Sequence, residues 1–246
     1  MPNPVFDPLP EELVTALESL PLKDLAALQE RLILTREHER RVQDMRRVLT
    51  ERTQHLSVVL EDIFQPHNSS AVLRTCECFG VQTVHVVEIS RKFKISNQVA
   101  MGGAKWIDVE RYQSTTPCLE TLRDNGYQLA AATLRPEAIP LDEIPLDRPL
   151  AILIGHERRG LSQEAHEAAD YWFKLPMHGF TQSYNLSVFS SLCLYELTQR
   201  LRKTKLSWRL SAEEQERIFT RWLCQDTKAV QSAAEAWLTD YSITEN

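Results

Sequence analysis

Between residues 56 and 204 the apolar positions fall into short dense runs separated by segments of helical spacing. "LSVVLEDI" (56–63), "VQTVHVVEI" (81–89), "WIDVERY" (106–112), "YQLAAATL" (127–134), "PLAILIG" (149–155) and "YWFKLP" (171–176) predict strands. These runs lack strict alternation, which is the pattern of strands covered on both faces. Helices are predicted over "NSSAVLRTCECFG" (68–80), with Asn68 as the cap and Gly80 beyond the last turn, and over "PCLETLRDNG" (117–126). Two more are predicted over "SQEAHEAAD" (162–170), capped by Ser162, and over 186–204. Alternating strands and helices predict an α/β fold, a parallel sheet with helices on both faces.

The flanks read differently. Residues 9–20 and 22–50 have helical spacing, with Leu25, Leu28, Leu32, Val42, Met45 and Val48–Leu49 recurring and Pro8, Pro10 and Pro21 as punctuation. Residues 211–240 read as one or two amphipathic helices anchored by Ile218, Trp222 and Trp237. The expected organisation is a helical N-terminal extension (1–53, its second part basic), an α/β domain (54–205) and a helical C-terminal extension (206–246).

Charge adds to this picture. The net charge of −6 argues against a general nucleic-acid binder, but it is unevenly spread. Residues 36–57 hold 6 Arg against 4 acids, and residues 198–209 ("TQRLRKTKLSWR") hold 5 basic residues and no acid. These islands read either as solvated helix faces with i,i+4 pairs such as Glu37–Arg41, or as phosphate-binding surfaces. The five Cys show no C-x-x-C spacing, so reduced thiols are expected and a structural zinc is not. No apolar run approaches the ~20 residues that cross a bilayer, and no signal peptide is visible at the N-terminus, so a cytoplasmic protein with no membrane contact is expected.

Several chemistries are disfavoured. No G-x-G-x-x-G follows the first strand, and "GHERRGLS" (155–162) carries Leu161 where a P-loop needs Lys. There is no G-x-S-x-G elbow, no H-E-x-x-H and no paired Cys/His set, so no metal is expected. Three polar clusters at strand ends remain. They are Asn68 with Arg74, then Gly155, Glu157 and Gly160, then Gly179, Ser183 and Asn185. Taken singly, each also reads as local structure: a capping Asn with a surface Arg, a strand-to-helix turn, and Ser183 or Asn185 as a cap for the helix from 186. The glycines of the second cluster would let backbone approach a ligand closely.

Together and in this order, the clusters resemble the three motifs of the SPOUT-class SpoU/TrmH RNA 2′-O-methyltransferases. "NSSAVLRT" (68–75) is similar to the first, "LAILIGHERRGLS" (150–162) to the second and "LPMHGFTQSYNLSVFSSLCLYE" (175–196) to the third. "PHNSSAVLRTCECFGV" and "GGAKW" (102–106) most resemble the subgroup that methylates the D-loop guanosine at position 18 of tRNA. Tyr184, Leu186 and His156 depart from the family's usual residues, and the arm 1–35 lies outside the resemblance.

The resemblance implies a C-terminal deep trefoil knot, S-adenosylmethionine as methyl donor, tRNA as partner and a homodimer in which the partner's Arg74 completes each site. By the same resemblance Arg74, Asn68, Glu157, Ser183 and Asn185 are catalytic, and Thr133, Leu134, Ile154, Gly155, Leu175, Met177, Gly179 and Leu186 hold the cofactor. Arg41, Arg46, Arg47, Lys105, Arg158, Arg200, Arg202 and Lys203 are expected to contact RNA. The apolar helix from Leu186 would pack against both the sheet and a second subunit. The alternatives are 2′-O-methylation of ribosomal RNA or of another tRNA position, and a non-catalytic RNA-binding paralogue.

Overall fold

The computed structural model describes residues 8–34 and 39–244, which form two compact units. The first spans Thr53–Trp208. It contains β1 (Leu56–Glu61), α4 (Pro66–Phe79), β2 (Thr83–Val87), α5 (Asn97–Ala100), β3 (Asp108–Tyr112), α6 (Thr115–Asp124), β4 (Gln128–Ala132), β5 (Ile139–Pro140), β6 (Leu150–Ile154), α7 (Gln163–Ala168), β7 (Tyr171–Lys174) and α8 (Leu186–Arg202). The seven strands form one sheet in the order β3-β2-β1-β6-β4-β7-β5, with every pairing parallel.

The predicted α/β fold is observed, and its core is split by the period-two alternation of the strands. Leu56, Val58 and Leu60 of β1 and Leu150, Ile152 and Ile154 of β6 face one layer, with Val72, Leu73 and Cys76 of α4 and Cys193, Leu194 and Leu197 of α8. Val59, Leu129, Ala131, Ala151 and Leu153 face the other, with Cys118, Leu119 and Leu122 of α6 and Ala165 of α7. β1 is flanked by β2 on one side and by β6 on the other. The strand order therefore reverses at β1/β6, and in open α/β sheets ligands bind outside the carboxyl ends of the strands at such a point.

Local chemistry explains most boundaries. Gly80 ends α4 in the left-handed conformation (φ 79°), as read from the sequence, and its N–H caps the carbonyls of Cys76 and Glu77. Ser162 caps α7, its Oγ accepting from Ala165 N at 3.1 Å. Asn68 does not cap α4. That helix begins earlier, at Pro66, whose fixed φ suits a first helical position, and Asn68 sits buried inside the first turn. The short α5, β5 and two 3-10 turns (Gly103–Trp106 and Leu141–Glu143) were not foreseen; each is too brief to show a period.

Behind the carboxyl end of β1 lies a buried carboxylate, Glu61, which is 3% exposed. It accepts from Thr115 Oγ1 at 2.6 Å, Ser162 N at 2.7 Å and Ser162 Oγ at 2.7 Å, tying the starts of α6 and α7 to the strand.

Among the described residues the second unit is helical: α1 (Glu11–Ser19), α2 (Leu22–Leu34), α3 (Glu39–Leu49), α9 (Ala212–Asp226) and α10 (Lys228–Thr244). The single helix read over 22–50 crosses residues 35–38, which lie outside the described residues. α9 packs on α1, α2, α3 and α10 through Ile218, Phe219, Trp222 and Leu223, all buried. Ser211 and Glu214 form a capping box at its start. Trp237 is half-buried and stacks on Tyr241 with ring centroids 5.0 Å apart. No helix among the described residues is long and apolar enough to cross a membrane.

Ser162→Ala removes the α7 cap and one of the partners of buried Glu61. It should lower stability by about 1–2 kcal/mol, measured as a shift in the urea midpoint with an unchanged m-value.

Candidate functional site

The carboxyl ends of β1, β4, β6 and β7 open into one cavity of about 800 Å³. Seven of the eight expected cofactor positions line it: Thr133, Leu134, Ile154, Gly155, Leu175, Met177 and Leu186. Gly179 does not, and a Cβ added there would meet nothing within 4 Å. Of the expected catalytic residues Asn68, Glu157, Ser183 and Asn185 line the cavity, while Arg74 lies outside it.

Glu157 organises the polar side. Leaving β6, its Oε2 accepts from Phe64 N at 3.0 Å, and its Oε1 from Gln65 N at 3.2 Å and Asn68 Nδ2 at 3.0 Å. Gln65 stands at the N-cap of α4 with no side-chain cap of its own, so a carboxylate from another strand serves that end, where the helix dipole favours negative charge. Burial pushes the Glu157 pKa up, but the hydrogen bonds from Asn68, its own backbone, Phe64 and Gln65 outweigh it and hold the carboxyl below the usual glutamate value.

The relay continues. Asn185 Nδ2 donates to Asn68 Oδ1 at 3.2 Å. Asn185 is also the N-cap of α8, its Oδ1 accepting from Ser187 N at 2.9 Å and Val188 N at 3.4 Å. The local reading of Asn185 as a cap therefore holds alongside its place in the cavity wall. Ser183 is exposed and its hydroxyl bonds to no described residue. Tyr184 closes the loop by donating to Pro176 O at 2.8 Å.

The glycines after β6 also have a reason within the chain itself. A Cβ on Gly155 would collide with the backbone of Gly160 and Leu161. Gly160, at φ 72°, turns the chain back so that its N–H reaches His156 O at 2.8 Å. Gly155 thus permits a close approach of its own chain, while it also lines the cavity.

Arg74 projects from the exposed side of α4, six residues beyond Asn68 and so turned to another face of the helix. It forms no hydrogen bond or ion pair with any described residue. On α8, Val188, Leu192 and Tyr195 are exposed, and α4 packs on α8 with Thr75 Oγ1 3.2 Å from Ser191 Oγ.

The expected RNA-contact residues are unevenly available. Arg158 is exposed at the cavity mouth, and Arg202 and Lys203 are exposed at the end of α8. The Lys105 ammonium lies 4.5 Å from the Trp106 ring centroid. Arg200 donates to the carbonyls of Leu141 (3.0 Å) and Ile144 (2.5 Å) and so braces the loop before β6. In the helical unit Arg41 pairs with Asp226 at 3.3 Å and Arg47 with Asp44 at 3.3 Å. Arg46 pairs with Glu216 and lies over the Phe219 ring.

Sequence reasoning missed the backbone N–H groups of Phe64 and Gln65, because main-chain donors leave no residue signature. It also missed Arg159, His166 and Lys174 in the cavity wall. Among the described residues no cluster of three or more His, Cys, Asp or Glu could hold a metal.

Residues 55–195 match the model of the SpoU rRNA Methylase family, more than half of the chain. The chain belongs to this family. A tRNA (guanosine(18)-2'-O)-methyltransferase from Borreliella burgdorferi is 38% identical over 75% of this SpoU chain and 85% of its own length. A TrmH/SpoU tRNA modifying enzyme from A. aeolicus superposes with a TM-score of 0.72 at 31% identity, covering 77% of this chain and 98% of that one. A solved structure described by the 2-OH methylation of C/U34 on tRNA is 28% identical with a TM-score of 0.53, covering 61% of this chain and 97% of that one.

Glu157→Gln sets an amide N–H against a donor from Phe64, Gln65 or Asn68. It should raise hydrogen–deuterium exchange over residues 62–68 and cost about 1–3 kcal/mol. In the wild type the carboxyl's folded pKa lies below its unfolded one. Its contribution is therefore complete above the unfolded value, and the same segment should lose protection as pH falls through the lower, folded value.

Proposed function

We propose that this chain transfers a methyl group from S-adenosylmethionine to a ribose 2′-hydroxyl of tRNA, at the D-loop guanosine 18. The observation that carries this is the Glu157–Asn68–Asn185 relay, which joins the three sequence motifs across one cavity at the strand-order reversal. The proposed domain that performs the reaction is 54–205, in the cytoplasm where its substrate would be met.

The cavity suits the donor. Its volume falls within the range of small-molecule sites, and its walls combine apolar Leu134, Ile154, Leu175 and Met177 with backbone at Gly155. When bound, S-adenosylmethionine supplies a methyl group on a positively charged sulfur. The chain's own task is to align the ribose hydroxyl and assist loss of its proton. Glu157 is a poor proton acceptor, because its oxygens already accept three hydrogen bonds and its pKa is depressed. Its role is to hold the first turn of α4 against the cavity. Asn68 and Asn185 fix the mouth, and Ser183, whose hydroxyl is uncommitted, contacts the incoming ribose. Arg74 orients and polarises the hydroxyl, with the proton passing to water, since a guanidinium is not deprotonated in proteins.

Arg74 reaches a site only from a second copy of the chain. Its freedom from partners and the exposed Val188, Leu192 and Tyr195 on α8 support a homodimer packed through α4 and α8. The trefoil knot would form as residues 176–185 thread toward α8. The exposed basic residues Arg158, Arg202 and Lys203 would meet tRNA phosphates, together with Lys105, Arg41, Arg46, Arg47 and Arg200.

The likeness to the C/U34 structure favours one second reading, methylation at position 34 of tRNA. Incubating an unmodified tRNA transcript with labelled S-adenosylmethionine and mapping the product by mass spectrometry separates the two. A 2′-O-methyl at guanosine 18 is expected, and a methyl at 34 overturns the position while keeping the chemistry. No methyl and no calorimetric binding of S-adenosylmethionine would indicate a non-catalytic RNA-binding protein.

Mixing Arg74→Ala with Asn185→Ala subunits tests the shared site. Each variant alone should be nearly inactive, and the mixture should recover about a quarter of wild-type turnover through heterodimers with one intact site. No recovery would place Arg74 on its own subunit's cavity.

A further inference from the structure

Beside the main cavity lies an open recess of about 150 Å³ lined by Asp62, Phe64, Ser90, Arg91, His156 and Arg159. His156 and Arg159 also line the larger space, so the two share a wall.

The floor is rigid. Asp62 holds φ at 52°, a left-handed conformation that L residues seldom adopt. Its carboxylate keeps it there, accepting from Ser90 N at 2.7 Å, Ser90 Oγ at 2.8 Å and Arg159 Nη2 at 2.6 Å. Arg159 thereby offsets the one negative charge in the recess, while its side chain stays 63% exposed.

The walls are aromatic and cationic. Phe64 is 43% exposed, although its backbone is fixed by Glu157. The Arg91 guanidinium carbon stands 4.2 Å from its ring centroid, and the His156 ring 5.8 Å away at 46°. The loop carrying Arg91 is pinned by Phe93, 9% exposed, whose N–H donates to Glu88 Oε1 at 2.7 Å. With Phe93 held inward, Arg91, Lys92 and Lys94 all remain exposed. None of the three forms an ion pair with a described residue. The recess thus has two aromatic rings and one uncompensated cation in its wall, Arg91, with Lys92 and Lys94 exposed next to it along the chain.

A site for a free anion needs the cations alone and gives no reason to hold Phe64 partly bare. Aromatic faces beside guanidinium and ammonium groups suit a nucleotide, whose base stacks and whose phosphate pairs. We propose that the recess holds a nucleotide of the RNA substrate neighbouring the one whose ribose enters the cavity. Its base lies against Phe64 and His156, its phosphate meets Arg91, and Lys92 and Lys94 extend the contact along the backbone. This rests on the RNA methyltransferase reading above and adds to it a second nucleotide subsite.

The test compares full-length wild type with Arg91→Ala, Arg91→Lys and Phe64→Leu. Affinity for an unmodified tRNA transcript is read by fluorescence anisotropy at several salt concentrations, and S-adenosylmethionine binding by calorimetry. Arg91→Ala and Phe64→Leu should each weaken tRNA binding about tenfold, with KM for tRNA rising in parallel. Arg91→Ala should also reduce the salt slope by about one ion, whereas Arg91→Lys should keep the slope and recover only part of the affinity. Tight S-adenosylmethionine binding in the Phe64→Leu protein would show that the cavity has kept its shape. If both Arg91→Ala and Phe64→Leu bind tRNA within about twofold of wild type, the subsite is overturned. Wild-type methylation is scored separately, so the parent reading can fail while binding still decides the recess.

Discussion

Glu157 leaves the end of β6 and sets its carboxylate against the start of α4, where it receives two backbone N–H groups and the Asn68 amide. That contact joins parts of the chain about ninety residues apart and closes the gap where the strand order reverses. An unoccupied helix N-terminus at this place would leave donors without partners, and a carboxylate without donors would be costly to bury. Each offsets the other, and the polar side of the cavity follows from the pairing. Asn68 is oriented by Glu157, Asn185 by Asn68, and the first turn of α8 by Asn185.

A second carboxylate does related work one layer deeper. Glu61 binds the starts of α6 and α7 from within the sheet. Ser162, which it holds, follows directly on the loop that carries Glu157. The loop after β6 is therefore held at both ends, by Glu157 toward α4 and by Ser162 toward β1. This restraint is why short, polar, largely exposed segments can keep a fixed geometry around an open cavity.

The sheet and its helices were legible because period and capping chemistry are local. The unalternating apolar runs marked buried strands, Gly80 marked the end of α4, Ser162 marked the start of α7, and the start of α8 was narrowed to Ser183 or Asn185, of which the structure uses Asn185. The start of α4 was misread, since Asn68 has the right chemistry for a cap while Pro66 two residues earlier has the right geometry. The three polar clusters were visible as residue types, but the bonds joining them were not. Glu157 meets the first cluster through main-chain donors, which are the same for every residue, and through a register set only by the fold. A further reason for the glycine at 155 was not legible, because nothing in a linear string says that Gly160 and Leu161 return over it.

That crossing divides the motif residues into two kinds. Gly155 is required by the path of the chain, so a descendant that had lost all chemistry would still need glycine there in order to fold. Arg74 forms no hydrogen bond or ion pair with a described residue, so polar bonding within the fold gives no reason to retain it. In a lineage drifting away from activity, Arg74 would be free to change first and Gly155 last. A side chain that the folded chain leaves unbonded is therefore the better record of whether a copy of this fold is still at work.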